Sequence, residues 1–139
     1  MPETPVFDLP GICAVTYDAA TRAAIIRWES FRTPDVQDVV RRHIREGQTR
    51  GARICVVDVS QIRGVLDPAD AAWVEQNTPG LLTAAGYDAI VNVLPSSAIT
   101  KMGADRWGRA ALGHGLTAYS CSSVAEVAGI ARDVLGKAA

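Results

Sequence analysis

Residues 52–75 read ARICVVDVSQIRGVLDPADAAWVE, and this stretch predicts the centre of the fold. Residues 54–57 (ICVV) form an unbroken apolar run, which is typical of a strand buried on both faces of a sheet. Asp67 and Pro68 indicate a helix start, since the carboxylate can cap the first turn and proline suits the first helical position. A strand, a polar loop and a helix form the half-unit of an open α/β sheet, whose ligands collect at the carboxyl ends of the strands.

The composition indicates an ordinary globular domain. The chain has 139 residues, of which 48% are hydrophobic and 21% charged, so we expect one domain with a core of its own. The formal net charge of −1 gives no long-range attraction to nucleic acid or to an anionic membrane. The three cysteines lie in apolar runs, and their odd number argues against a disulfide framework.

The order of the predicted elements is β-β-α-β-α-β-α-β-α, an α/β fold with a mixed sheet of about five strands and about four to five helices. We expect residues 1–10, which contain three prolines, to be a flexible lead-in, and residues 11–139 to be a single domain. The first ten residues lack the features of a signal peptide, and no apolar run is long enough to span a bilayer, so we expect a cytoplasmic protein. The predicted strands are 12–17, 23–28, 54–57, 87–94 and 116–121; the predicted helices begin at 34, 68, 98 and 124, and residues 78–80 interrupt the second of them.

This order of strands and helices, together with the residues at which they begin and end, resembles the STAS domain of bacterial anti-sigma-factor antagonists. The resemblance runs from Ile12 to Leu135, and it implies a non-catalytic regulatory module that binds another protein. The residues that carry it are Asp58-Val59-Ser60, Asp67, Gly86, Pro95, Gly115-Leu116, Ser123 and Glu126. The long helix with Trp73 and Pro79 is closer to divergent STAS-like proteins, which are sometimes grouped with lipid-binding domains.

One departure from the family changes the implied function. In the regulatory family, the aspartate that opens this helix is followed by two serines, and a partner kinase phosphorylates the second. Here Asp67 is followed by Pro68, Ala69 and Asp70, and Ala69 has no hydroxyl to modify. The phosphorylation switch therefore does not carry over to this chain.

The remaining residues predict no reaction. His43 and His114 have no carboxylate or cysteine at metal-ligand spacing, and glycine-rich phosphate loops are absent, so we expect no metal, no cofactor and no enzymatic activity. A Cys–His nucleophilic pair would require a contact that the sequence does not indicate. A structure that placed residues 53–58 at the margin of the sheet, or brought either histidine against a thiol or a bound ion, would overturn this interpretation.

Two functions remain open. The first is binding of a regulatory protein partner, and the second is binding of a small hydrophobic, lipid-like ligand in a pocket with Trp28, Trp73 and Pro95 near its mouth. Neither involves nucleic acid or an integral membrane segment, and a homodimer is a further alternative. Both functions use the same edge of the sheet, whose residues are Asp58, Ser60, Asp67, Ala69, Asp70 and Trp73.

Overall fold

The structure is a computed structural model that describes residues 3–32, 35–95, 97–98, 108–111 and 115–138. For residues 108–111, 137 and 138 it describes the backbone only. Within these ranges the chain forms seven strands and three α-helices. The strands are β1 (Thr4–Leu9), β2 (Cys13–Asp18), β3 (Ala23–Trp28), β4 (Ile54–Asp58), β5 (Ala89–Val93), β6 (Gly108–Ala111) and β7 (Thr117–Cys121). The helices are α1 (Val36–Thr49), α2 (Pro68–Ala84) and α3 (Val127–Ala138), the last preceded by a 3₁₀ turn at Val124–Glu126.

The strands form one mixed sheet in the order β1-β2-β3-β4-β5-β7-β6. The inner strands β3, β4, β5 and β7 pair in parallel. At one side β1, β2 and β3 form an antiparallel meander, and at the other β6 pairs antiparallel with β7. The predicted α/β class and the mixed sheet with an antiparallel start are therefore confirmed.

Strand β4 lies in the middle of the sheet and is buried on both faces, as predicted. Ile54 and Val56 belong to a core cluster with Ile130 and other side chains of α3, whereas Cys55 packs in a cluster with Ile44 of α1. Because successive side chains of a strand point to opposite faces, the two clusters lie on opposite sides of the sheet. Helix α3 thus covers one face, and α1 and α2 cover the other.

Two segments that were not predicted to be strands are strands in the structure. Thr4–Leu9, inside the expected lead-in, pairs with β2, and a register shift between Pro5 and Phe7 accommodates the proline on this edge strand. Gly108–Ala111, expected to be the end of a helix over 98–112, is instead strand β6. Both are short edge strands whose partner, rather than their own composition, determines their conformation. The rest of that helix, from 99 to 107, lies outside the described residues.

Helix α2 begins and ends as predicted, but it is not interrupted. An Asp67 carboxylate oxygen accepts a hydrogen bond from the Ala69 amide at 3.1 Å, which caps the first turn. The helix then runs through Pro79, where an interruption was expected, and it ends before Gly86, whose φ is +89°. Proline removes one intrahelical hydrogen bond, and the carbonyl left free belongs to exposed Glu75, where water can reach it. No helix in the described part of the chain has both the length and the apolar character needed to cross a membrane.

Helix α1 packs closely on the sheet because Gly47 has no side chain. The Tyr87 hydroxyl donates a hydrogen bond to the Ile44 carbonyl at 2.8 Å, directly beside this glycine. A Cβ atom at Gly47 would collide with that hydroxyl and with the Cβ of Ala24. Gly80 of α2 differs, since nothing lies within 4 Å of a Cβ built there.

The two glycines therefore make a matched pair. Gly47→Ala should lower the free energy of unfolding by about 1–3 kcal/mol through overpacking, although alanine is the better helix former. Gly80→Ala should raise it by up to about 1 kcal/mol, because only helix propensity changes. Urea denaturation of both variants measures the effects, and shifts of the same sign would contradict the packing described at Gly47.

Candidate functional site

A cavity lies between the sheet and helices α1 and α2, below the carboxyl ends of β3, β4 and β5. Its volume is about 210 Å³, and its lining is almost entirely apolar. The sheet contributes Ile26, Trp28, Cys55, Val57, Ile90 and Asn92; α1 contributes Val36, Val40, His43 and Ile44; α2 contributes Val74 and Thr78; Phe31, Val59 and Leu66, which lie in loops, complete the lining. This is the edge at which the sequence predicts ligand binding.

The cavity exists because α2 is incompletely packed against the sheet. Of its 17 residues, Thr78 and Leu82 are buried, and its first turns carry the small residues Ala69, Ala71 and Ala72, which are exposed. Val57 and Ile90 of the sheet line the space that remains, together with Val74 and Thr78 of the helix.

Three polar side chains line the cavity, and His43 of α1 is the most buried at 2% exposure. Its Nε2 lies 2.8 Å from the Ala24 carbonyl oxygen. A carbonyl can only accept, so Nε2 carries the proton and donates, and Nδ1 keeps a free lone pair. Burial lowers the pKa of His43 to about 4, against the opposing effect of the Ala24 hydrogen bond, so the imidazole is neutral near pH 7.

The structure also brings His43 against a thiol, which is the contact named above as overturning the interpretation drawn from the sequence. The Sγ atom of Cys55 lies 4.0 Å from Nδ1 of His43. A nucleophilic pair needs a thiolate beside an imidazolium, which requires a lowered cysteine pKa. Burial instead raises the pKa of the Cys55 thiol to about 12. Both groups are therefore neutral, and the pair is a buried contact without an activated nucleophile.

Thr78 and Asn92 supply the other polar groups. Thr78 is 7% exposed, and its hydroxyl has no hydrogen-bond partner among the described residues. Asn92 lies near the carboxyl end of β5, on the same side of the sheet. A buried hydroxyl without a partner is uncommon in native proteins, because its desolvation is not offset. The hydroxyl oxygen is not accessible from the cavity, so it lies within the wall and does not face a ligand.

The predicted edge residues divide into two groups, and neither group lines the cavity. The Asp58 carboxylate accepts hydrogen bonds from the Ser60 amide at 2.9 Å and from its hydroxyl at 2.6 Å. Asp58 also lies 4.0 Å from Arg27, which forms an ion pair with Glu3 at 2.6 Å. Strand alternation places Asp58 on the face of Ile54 and Val56, opposite to the cavity.

The second group ties α2 to α1. Asp67 and the Ala69 amide form the cap of α2, and the Asp70 carboxylate accepts a hydrogen bond from the Gln37 amide at 3.1 Å. The guanidinium of Arg41 lies over the ring of Trp73, 4.8 Å from its centroid. Among the aromatic and proline residues expected at the mouth, Trp28 lines the cavity, whereas Trp73 and Pro95 do not belong to its described lining.

Part of this site was detectable in the sequence. Val36, Val40, His43 and Gly47 follow helical spacing, so His43 falls on the buried stripe of α1. The contact of His43 with Cys55 and the burial of Thr78 left no local signal. His114, the other histidine, lies outside the described residues.

The buried imidazole predicts a specific dependence of stability on pH. The unfolded chain protonates its histidine near pH 6.5, whereas folded His43 resists protonation down to about pH 4. Between these values the unfolded state binds more protons, so the free energy of unfolding falls as the pH falls, by about 2 kcal/mol from pH 7 to pH 5.

Urea denaturation at pH 7, 6 and 5 checks this, with His114→Gln present throughout so that a single histidine titrates. His43→Gln, which can still donate to the Ala24 carbonyl, should remove most of the slope. Equal slopes with and without His43 would contradict the neutral buried imidazole.

Comparison of the chain with protein-family models, with curated proteins and with solved structures finds no match. The resemblance to STAS domains therefore stays a hypothesis, and the function has to be inferred from the cavity and from the surface of α2.

Proposed function

We propose that this protein is a non-catalytic binding protein whose ligand is a small, largely apolar molecule held in the cavity between the sheet and helices α1 and α2. The observation that carries the proposal is an almost entirely apolar cavity of about 210 Å³ at the edge of the sheet where three parallel strands end. Ligand sites of α/β proteins are concave, mostly apolar and placed near strand carboxyl ends, and they present a few polar groups.

The volume indicates the size of the ligand. An engineered apolar cavity of about 150 Å³ binds benzene, whereas pockets for drug-sized ligands begin near about 300 Å³. A substituted single ring, or a branched chain of similar volume, therefore matches this cavity.

Ligand binding can be tested with fluorobenzene as the probe. Ligand-observed ¹⁹F NMR should show saturable binding to the wild-type protein, and toluene should compete and raise the melting temperature. Val57→Phe places a ring in the cavity and should abolish probe binding. Val65→Phe is the matched control, since Val65 is 89% exposed and does not belong to the described lining, and it should leave binding unchanged.

Circular dichroism melts verify that both variants fold, and Ile90→Phe is the second cavity-filling variant if Val57→Phe does not. Absence of saturable binding to the folded wild-type protein, or unchanged binding in a folded cavity-filling variant, would refute the proposal.

A second function, regulatory binding of a protein partner as in STAS domains, is favoured by the surface around the start of α2. Val65 is 89% exposed in the loop before the helix, and the small side chains of Ala69, Ala71 and Ala72 are exposed near it, together with the carboxylate of Asp67. Asp70 and Trp73, however, already contact α1, which leaves less of the expected edge free for a partner. The lack of a hydroxyl at Ala69 means that such binding would not be switched by phosphorylation there.

Native mass spectrometry of protein purified from its own host distinguishes the two functions. A retained molecule of low mass supports the cavity, whereas a stoichiometric second protein, or a second copy of this chain, supports the surface. Val65→Asp should then disrupt that complex while leaving the melting temperature within about 1 °C, because exposed substitutions change stability little. A complex that survives Val65→Asp would remove this surface from consideration.

A further inference from the structure

We propose that this protein has a second binding site, for a small phosphate monoester, in a recess at the carboxyl end of β3. The recess has a volume of about 490 Å³, and its described lining consists of Gly11, Ile12, Ser30, Arg32, Arg63 and Gly64. None of these residues lines the cavity between the sheet and helices α1 and α2. The second site is therefore independent of the ligand proposed for that cavity.

Three loops meet at this recess, and backbone hydrogen bonds hold them together. The Ile12 carbonyl, in the turn between β1 and β2, accepts hydrogen bonds from the amides of Glu29 and Ser30 at 2.7 and 3.2 Å. The Arg63 amide, in the loop between β4 and α2, donates to the Glu29 carbonyl at 3.0 Å. Arg63 also pairs with Ser30 in a parallel β-bridge. The backbone that carries the lining is thus held in place without a ligand.

Two arginines, Arg32 and Arg63, line this recess without a carboxylate to neutralise them. Ser30 places their backbones close together, since it is the bridge partner of Arg63 and its hydroxyl accepts a hydrogen bond from the Arg32 amide at 3.1 Å. No aspartate or glutamate belongs to the described lining, and neither arginine has an ion pair in the part of the chain that the structure describes. Arg27 and Arg53, by contrast, pair with carboxylates.

The charge of the two arginines indicates the chemistry of the ligand. Two guanidinium groups that line one recess repel each other, and an anion between them replaces this repulsion with attraction. A phosphate monoester carries a charge of about −1.5 to −2 at pH 7 and presents three acceptor oxygens, which the planar donor forks of two arginines match. A carboxylate has a single charge and two oxygens, so one arginine is enough to bind it. The pair therefore favours a phosphate over a carboxylate.

The size of the recess indicates that the ligand extends beyond its phosphate group. Pockets for organic ligands begin near about 300 Å³, and this recess exceeds that volume. No heavy atom lies within 4 Å of a Cβ built at Gly11 or at Gly64, so both glycines face open space. The organic part of the ester has room beside these glycines, while its phosphate contacts Arg32 and Arg63.

Glycerol 3-phosphate is the probe that tests this proposal, and ligand-observed ³¹P NMR measures its binding. The wild-type protein should bind it saturably at pH 7.5 and low ionic strength. Added salt should weaken the binding, because the two arginines are exposed and ions screen their charge. Lactate, a carboxylate of similar size, should compete only at concentrations about tenfold higher than those of the phosphate.

Substitution of the arginines locates the site. Arg32→Gln and Arg63→Gln should each weaken binding of glycerol 3-phosphate about tenfold, as expected for the loss of a charge-assisted hydrogen bond. Arg132→Gln is the matched control and should leave binding unchanged. Arg132 is exposed on α3, has no ion pair within the described ranges and does not belong to the lining of the recess. Circular dichroism melts should show that all three variants fold, because exposed substitutions change stability little.

The outcomes separate this proposal from the apolar ligand of the cavity. Val57→Phe, or Ile90→Phe in its place, should leave binding of glycerol 3-phosphate unchanged, since both positions line the cavity and not the recess. Loss of binding in the folded cavity variant would place the phosphate in the cavity and overturn the proposal. Absence of saturable binding to the wild type, equal affinity in the arginine variants and the control, or competition by lactate as strong as that of the phosphate would overturn it as well.

Discussion

The burial of β4 on both faces is the constraint on which the rest of the structure depends. Ile54 and Val56 require α3 on one side of the sheet, and Cys55 requires α1 and α2 on the other. The parallel pairing of β4 with β3 and β5 then brings three strand carboxyl ends to one edge. The cavity lies below this edge, on the side of α1 and α2, because α2 covers the sheet there without filling the space beneath it.

The packing of α2 explains why space remains. Its buried residues are Thr78 and Leu82, and its first turns carry alanines, so it supplies few large side chains to the sheet. Its first half is held instead by lateral contacts to α1, from Asp70 to Gln37 and from Trp73 to Arg41. A helix anchored in this way can keep an apolar space open, at a cost in stability that a bound ligand would partly return.

Burial keeps the two titratable groups of the cavity neutral. It shifts the pKa values of His43 and Cys55 in the directions that disfavour their charged forms, so their contact does not generate a nucleophile. The proposed binding of a small apolar molecule rests on these neutral and almost entirely apolar surroundings.

Elements with local signals could be predicted from the sequence. β3 was predicted with its observed bounds, β4 was recognised by its apolar run, the start of α2 by Asp67 and Pro68, and its end by Gly86. The edge strands β1 and β6 could not be predicted in this way, since pairing with β2 and β7 outweighs their own propensity. The contact of His43 with Cys55 and the burial of the Thr78 hydroxyl arise from how α1 and α2 pack on the sheet. No short segment of the chain encodes that packing.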